Sequence, residues 1–252
     1  MLRLTLLGTG AAGGVPLYGC ECSACKRATE HPTFERKPCS AMVEWGNGSA
    51  KERLLIDAGL MDLHSRFPAE TYHGFLLTHF HVDHVQGLFH LRWGTASPIP
   101  VWCPPDDQGC ADLLKHSGCL NFLPTMTHGE PQNINGLRIT PLHMTHSRPT
   151  FGYLLEYGVK NIAYLTDTDA LPTNTLSFLS ELPPLDVLII DCSFPPDHTG
   201  RNHNNINTVT QIYLDLAPKR LIITHLGHDL DAWLMEHGVP EWLEIGRDGM
   251  TV

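Results

Sequence analysis

The sequence predicts an α/β fold; its pattern fits two sheets packed face to face with helices outside, while composition alone allows any α/β layout. Three observations point there. Short apolar, β-branched-rich runs alternate with helix-like stretches along the chain. The 252 residues, 42% of them apolar, suffice to bury one or two sheet layers in a single domain spanning 1–252. Side chains able to hold a metal recur at the ends of successive apolar runs, as when a rigid sheet presents ligands along one edge.

The elements follow in chain order. Residues 2–7 read as a first strand and not as a signal peptide, since no charged segment precedes a long apolar one. Strands are expected at 41–45, 53–56 and 74–78, the last built on Phe75-Leu76-Leu77. A helix at 84–91, a strand at 100–103 and a helix at 106–116 come next. Apolar runs then predict strands at 137–142, 151–157 and 162–166, followed by a helix at 173–182. The chain closes with a strand at 187–191, a helix at 207–216, a strand at 220–224, a helix at 229–236 and a strand at 250–252. No apolar run reaches membrane-spanning length, so a soluble protein without a membrane partner is expected.

The stretch Thr78-His79-Phe80-His81-Val82-Asp83-His84 holds three imidazoles and a carboxylate directly after an apolar strand. Imidazole suits zinc, manganese and iron, and a carboxylate adds a harder, charge-neutralising ligand. His79 and His81, two apart, can face one way, while Asp83 and His84 point toward a second ion. A dinuclear site needs more ligands. His143 and His146 follow one strand-like run, Asp167 closes another and His225 a third. Asp167 has two oxygens with which to bridge both ions.

Cys20, Cys22 and Cys25 form a C-x-C-x-x-C cluster too tight for mutual disulfides, and tetrahedral structural zinc takes Cys₃His ligation. His228, three residues beyond His225, is the expected fourth ligand; a redox pair with one free thiol is the competing reading. Cys103 and Cys192 read as core thiols. Thiols kept reduced for metal binding fit a cytoplasmic protein.

The order H-x-H-x-D-H, His, Asp, His, with Leu6-Leu7-Gly8-Thr9-Gly10 and Leu55-Ile56-Asp57-Ala58-Gly59 upstream, resembles the metallo-β-lactamase superfamily over almost the whole chain. That resemblance gives the layout its name, an αββα sandwich, here with a small Cys-rich zinc clip near the N-terminus. It implies that His79, His81 and His146 hold one metal and Asp83, His84 and His225 the other, with Asp167 between them and His143 outside the set. Two catalytic divalent ions, manganese or zinc, and one structural zinc are therefore expected.

Such ions acidify a bridging water and draw charge from a phosphoryl oxygen. A leaving alkoxide still needs a proton. His203, in the Asn-rich segment 200–207, has the pKa range for general-acid work, and that loop lies at a helix start suited to gathering an anionic substrate. Asn207 is the candidate cap of the helix.

Further runs narrow the resemblance: Gly19-Cys20-Glu21-Cys22, Leu91-Arg92-Trp93-Gly94, Arg201-Asn202-His203 and Asp231-Ala232-Trp233-Leu234-Met235-Glu236. With these the chain is similar to the phosphoribosyl 1,2-cyclic phosphate phosphodiesterase family of the carbon–phosphorus lyase pathway. The resemblance implies opening of 5-phosphoribosyl 1,2-cyclic phosphate to ribose 1,5-bisphosphate in phosphonate catabolism, activity on 2′,3′-cyclic nucleotides, and a homodimer. Arg148, Arg201, Lys115 and His116 are the basic residues available for a 5-phosphate. A tRNA 3′-processing endonuclease shares the ligand pattern. The net charge of −10, 17 basic against 27 acidic residues, and the lack of a Lys/Arg cluster between His84 and His146 weigh against a large nucleic acid. A β-lactam or thioester hydrolase uses similar ligands on acyl carbon, and a metal-binding accessory protein of cofactor biosynthesis shares the C-x-C-x-x-C clip.

Overall fold

The computed structural model describes residues 1–47, 51–198 and 201–252; Gly200, at the head of the Asn-rich segment, lies outside the described residues. One sheet holds six strands in sequence order: β1 (Leu2–Gly8), β2 (Ser40–Trp45), β3 (Glu52–Ile56), β4 (Phe75–Leu76), β5 (Ile99–Trp102) and β6 (Leu120–Phe122). The second holds seven, also in sequence order: β7 (Gln132–Ile134), β8 (Leu137–His143), β9 (Phe151–Tyr157), β10 (Lys160–Leu165), β11 (Val187–Asp191), β12 (Leu221–Thr224) and β13 (Glu244–Ile245). Each sheet is antiparallel at one end and parallel at the other.

The inner faces share one core. Leu4, Leu6, Val43, Trp45, Leu54 and Ile56 of the first sheet meet Ile139, Tyr153, Leu155, Tyr164, Ile189 and Ile222 of the second. Outside the first sheet lie α2 (Leu63–Arg66), α3 (Val82–Leu91) and α4 (Ala111–Lys115); α1 (Ser23–Glu30) precedes them. Outside the second lie α5 (Thr173–Ser180), α6 (Ile206–Leu216) and α7 (His228–His237). Both faces of β11 and β12 are therefore covered and all their residues are buried, which is why they read as unbroken apolar runs. The αββα expectation holds. Among the described residues no helix is long and apolar enough to cross a membrane.

Several boundaries differ from expectation. The strand at 74–78 is only Phe75–Leu76, because Thr78 gives its backbone N–H to the Asp57 carboxylate. The helix at 106–116 shrinks to Ala111–Lys115, since Asp106 turns back to accept the N–H groups of Gln108 and Gly109. Residues 250–252 form a single bridge, Thr251 to Thr5, and no named strand. The cap of α6 is Asn205, whose side chain accepts from Thr208 N, and not Asn207.

Candidate metal centre

Strand ends build the site. Asp57, Asp167 and His225 each follow an apolar strand and each adopt a left-handed backbone, with φ of 60°, 58° and 57°. That conformation costs a non-glycine residue on the order of 1–3 kcal/mol, and surrounding packing must hold it. The turn stops the strand and swings the side chain over the sheet edge. His79 and His81 occupy the loop between β4 and α3, and Asp83 and His84 the first turn of α3. His146 comes from the loop between β8 and β9.

The structure brings every residue expected at the catalytic ions together. Donor atoms of His79, His81, His146 and Asp167 lie within 4.8 Å of one another, and so do those of Asp83, His84 and His225. His79 Nε2 and His146 Nε2 stand 2.8 and 3.1 Å from His81 Nδ1. Asp167 joins the two groups: Oδ2 is 3.6 Å from His79 Nε2 and 3.5 Å from His225 Nε2, while Oδ1 is 3.5 Å from His84 Nε2. His143 stays outside, exposed, stacked on His128 and Phe151.

The opposite ring nitrogens are tied down. His84 Nδ1 donates to Asp57 Oδ2 at 2.7 Å, and Asp57 also takes the amide and hydroxyl of Thr78. His146 Nδ1 donates to the Asn202 carbonyl at 3.1 Å. His225 Nδ1 donates to Ser193 Oγ at 3.0 Å, itself 3.0 Å from Asp191 Oδ1. Such partners select the tautomer whose free lone pair faces a cation.

Electrostatics test the fit of metal ions. His84 Nε2 and His225 Nε2 are buried without any hydrogen-bond partner, although both face carboxylates. Buried polar atoms are rarely left so, and a cation would satisfy both. Burial holds His79, His81 and His146 below the usual imidazole range, which favours the neutral form that ligates metal. Burial opposes charge on Asp167, but His225, His84 and His79 outweigh it and keep the carboxyl well below its usual range. Burial also opposes charge on His84, and there Asp167 and Asp57 prevail and raise it. Cation charge can take over that neutralising role. The residues fit two divalent ions.

His203 lies beside this pair, stacked on His225 with ring centroids 4.6 Å apart. Its Nδ1 donates to Asp191 Oδ2 at 2.9 Å. Burial pulls its pKa down, yet the Asp191 hydrogen bond and charge raise it to about 9. Three of the neighbouring asparagines spend their side chains on the chain itself. Asn204 is buried, giving its amide to the Asp191 carbonyl and accepting from Ala170 N, while Asn205 caps α6 and Asn207 binds the Pro196 carbonyl. Sequence reasoning missed Asp191 and Ser193. The signal was there for Asp191, which closes Val187-Leu188-Ile189-Ile190 just as Asp167 closes its own strand.

The second cluster also assembles. Cys20 Sγ and Cys22 Sγ lie 3.4 and 3.5 Å from His228 Nδ1, and all four donors, Cys25 included, fall within 4.8 Å of one another. These residues fit a closed four-ligand site. Burial pushes the Cys25 thiol up to about 12; against the same effect, hydrogen bonds from the Cys25 backbone and His228 bring Cys22 to about 7. Cys25 sits on α1 and His228 starts α7, so the cluster joins these two helices. On α7, Asp231 lies 3.9 Å from Arg27 of α1 and is gripped by Arg36, beyond that helix, through Nε and Nη2 at 2.7 and 2.9 Å.

Comparison with known proteins agrees with this architecture. Residues 52–226 match the model of the beta-lactamase superfamily domain. The chain is 24% identical over 268 residues to an octanoyltransferase of Porphyromonas gingivalis, with 99% of this chain and 51% of that protein covered. It is 30% identical over 307 residues to coenzyme PQQ synthesis protein B of Methylorubrum populi, covering 100% and 97%. The chain thus spans about half the length of the first relative and nearly all of the second. Among solved structures, a diphosphatase from the PhnP family superposes with a TM-score of 0.80 at 24% identity, covering 100% of this chain and 96% of that one. Zinc-bound PqqB from Methylobacterium extorquens gives 0.77 at 20% identity, covering 99% of each. These two likenesses are of fold.

Proposed function

This chain belongs to the metallo-β-lactamase superfamily, and on that premise we propose that it is a two-metal phosphodiesterase opening small cyclic phosphates. The observation that carries the reading is the Asp191–His203 pair set against the two ligand groups. A departing sugar hydroxyl needs a proton, and His203, held through Nδ1 by Asp191, is a group able to give one.

Two divalent ions held by His79, His81 and His146, by Asp83, His84 and His225, and by Asp167 between them would supply an acidified water and Lewis-acid charge on the phosphoryl oxygens. The chain's own groups do the rest. Asp57, Ser193 and the Asn202 carbonyl orient the ligand imidazoles. Asp191 accepts from His203 Nδ1, fixes the ring and favours the imidazolium, whose Nε2 holds the proton delivered to the departing oxygen. The substrate we infer is 5-phosphoribosyl 1,2-cyclic phosphate, yielding ribose 1,5-bisphosphate in phosphonate catabolism, with 2′,3′-cyclic nucleotides as further substrates. A cytoplasmic homodimer without a large nucleic-acid partner belongs to the same reading, as does zinc in the cysteine clip.

The test is turnover by metal-loaded protein of the ribosyl cyclic phosphate, a 2′,3′-cyclic nucleotide, a nucleoside diphosphate ester, a precursor tRNA and a β-lactam, with metal content measured in parallel. Preference for the cyclic diesters is the expected result. Preference for the diphosphate ester or the tRNA would replace the proposed substrate class, and turnover of the β-lactam alone would overturn the phosphodiesterase reading.

A further inference from the structure

The loop that carries His146 carries a second polar side chain, that of Arg148, beside the loop of His79 and His81. Residues 144–150 close through Met144 N to the Thr150 carbonyl, and Thr150 Oγ1 donates to the Arg148 carbonyl. Arg148, two residues beyond His146, has a side chain only 23% exposed. Its Nε donates to Asp106 Oδ2 at 2.8 Å, and its Nη2 lies 2.7 Å from that oxygen and 2.7 Å from the Gly109 carbonyl. Nη1 has one long contact, 3.5 Å to the carbonyl of Phe80, the residue between His79 and His81.

A guanidinium has five N–H donors in a rigid plane. Nε and Nη2 spend theirs on Asp106 and Gly109, so the plane cannot swing. Asp106 is itself braced by the N–H groups of Gln108 and Gly109, and its side chain is 5% exposed. What remains is the Nη1 edge, almost unspent, fixed beside the loop that holds two candidate ligands. A cation anchored in this way gains little as a structural tie from an incomplete Nη1, whereas an oxyanion gains a donor edge already oriented.

We propose that the Nη1 edge of Arg148 binds the substrate's second anionic group, the one not held at the metals, and so selects cyclic phosphates bearing a terminal phosphate. This rests on the phosphodiesterase reading for the substrate, though not for the anion. Asp106 acts as a positioning residue that sets the plane of the guanidinium.

Two measurements test it. Calorimetry with ribose 5-phosphate as probe, on metal-loaded protein, should give binding about 10–100-fold weaker for Arg148→Met, the worth of one charge-assisted contact to phosphate. Arg148→Lys, which keeps the charge and loses the fixed edge, should fall between. Turnover of adenosine 2′,3′-cyclic phosphate with and without a 5′-phosphate should show a preference for the phosphorylated form, mainly in KM, that Arg148→Met erases. Equal ribose 5-phosphate binding by both variants and the parent would overturn the assignment, as would a preference that survives Arg148→Met. Inactivity of the parent protein toward the ribosyl cyclic phosphate and both nucleotides would defeat the phosphodiesterase reading instead, and calorimetry would still decide the role of Arg148.

Discussion

Asp191 and His225 are linked through one hydroxyl: Ser193 Oγ stands 3.0 Å from Asp191 Oδ1 and 3.0 Å from His225 Nδ1, while the other Asp191 oxygen holds His203. The same hydroxyl lies 2.7 Å from the His225 carbonyl, so Ser193 holds the candidate ligand and Asp191 the candidate acid, side by side. Asp191 also accepts Thr168 N, one residue past Asp167. Acid and ligands are therefore set by one rigid strand end, that of β11.

His203→Ala should retain both catalytic ions and lose about 10²–10⁴-fold in turnover of a substrate with a sugar hydroxyl as leaving group. Bis(p-nitrophenyl) phosphate, whose leaving oxygen departs unprotonated, should lose far less. Rates on both substrates with metal analysis check this. Equal losses, or loss of an ion, would make His203 a ligand or a positioning group.

The pH profile should reflect the Asp191–His203 pair. The proton His203 donates is present below its pKa and disappears as pH rises through it. Turnover of the poor-leaving-group substrate should therefore fall on the alkaline side. The midpoint should lie below about 9, since bound cations near His225 would lower the value found with carboxylates alone. Asp191→Asn removes the charge that raises it, and should move this limb down by about one unit or more. An unmoved limb would detach the profile from His203.

Asp167→Ala should remove more metal than His79→Ala, because its two oxygens face both ligand groups. Both variants should be inactive on diesters. Metal content per chain, measured by atomic emission, is the readout; two ions retained with near-normal turnover would strike Asp167 from the ligand set.

Cys22→Ala should lose one tightly held zinc and unclamp α1 from α7 without touching the catalytic ligands. A closed site contributes folding free energy directly. A loss of about 3 kcal/mol would lower Tm by roughly 6–12 °C in a chain of this size. Scanning calorimetry of zinc-loaded protein checks it, and an unchanged Tm at full zinc content would contradict the clip.

The candidate ligand residues were legible in the sequence because their signals are local. H-x-H-x-D-H follows an apolar run directly, Asp167 and His225 close runs of their own, and C-x-C-x-x-C is contiguous. His228 was within reach because it stands three residues from His225 at the head of α7. The long strands were legible for the same reason, and the αββα name came from the resemblance. The strands β6, β7 and β13, of two or three residues, exist only because a neighbouring strand offers its edge, so they leave little pattern behind. Tertiary structure alone decided which nitrogen of each imidazole is free, since that depends on Asp57, Ser193 and the Asn202 carbonyl arriving from distant segments. It also decided that Asn204 and Asn205 brace the chain instead of greeting an anion, and that Arg148 is anchored by Asp106, 42 residues away. Local sequence determines which side chains stand at an edge; where their polar atoms point is settled by partners that only the folded chain brings near.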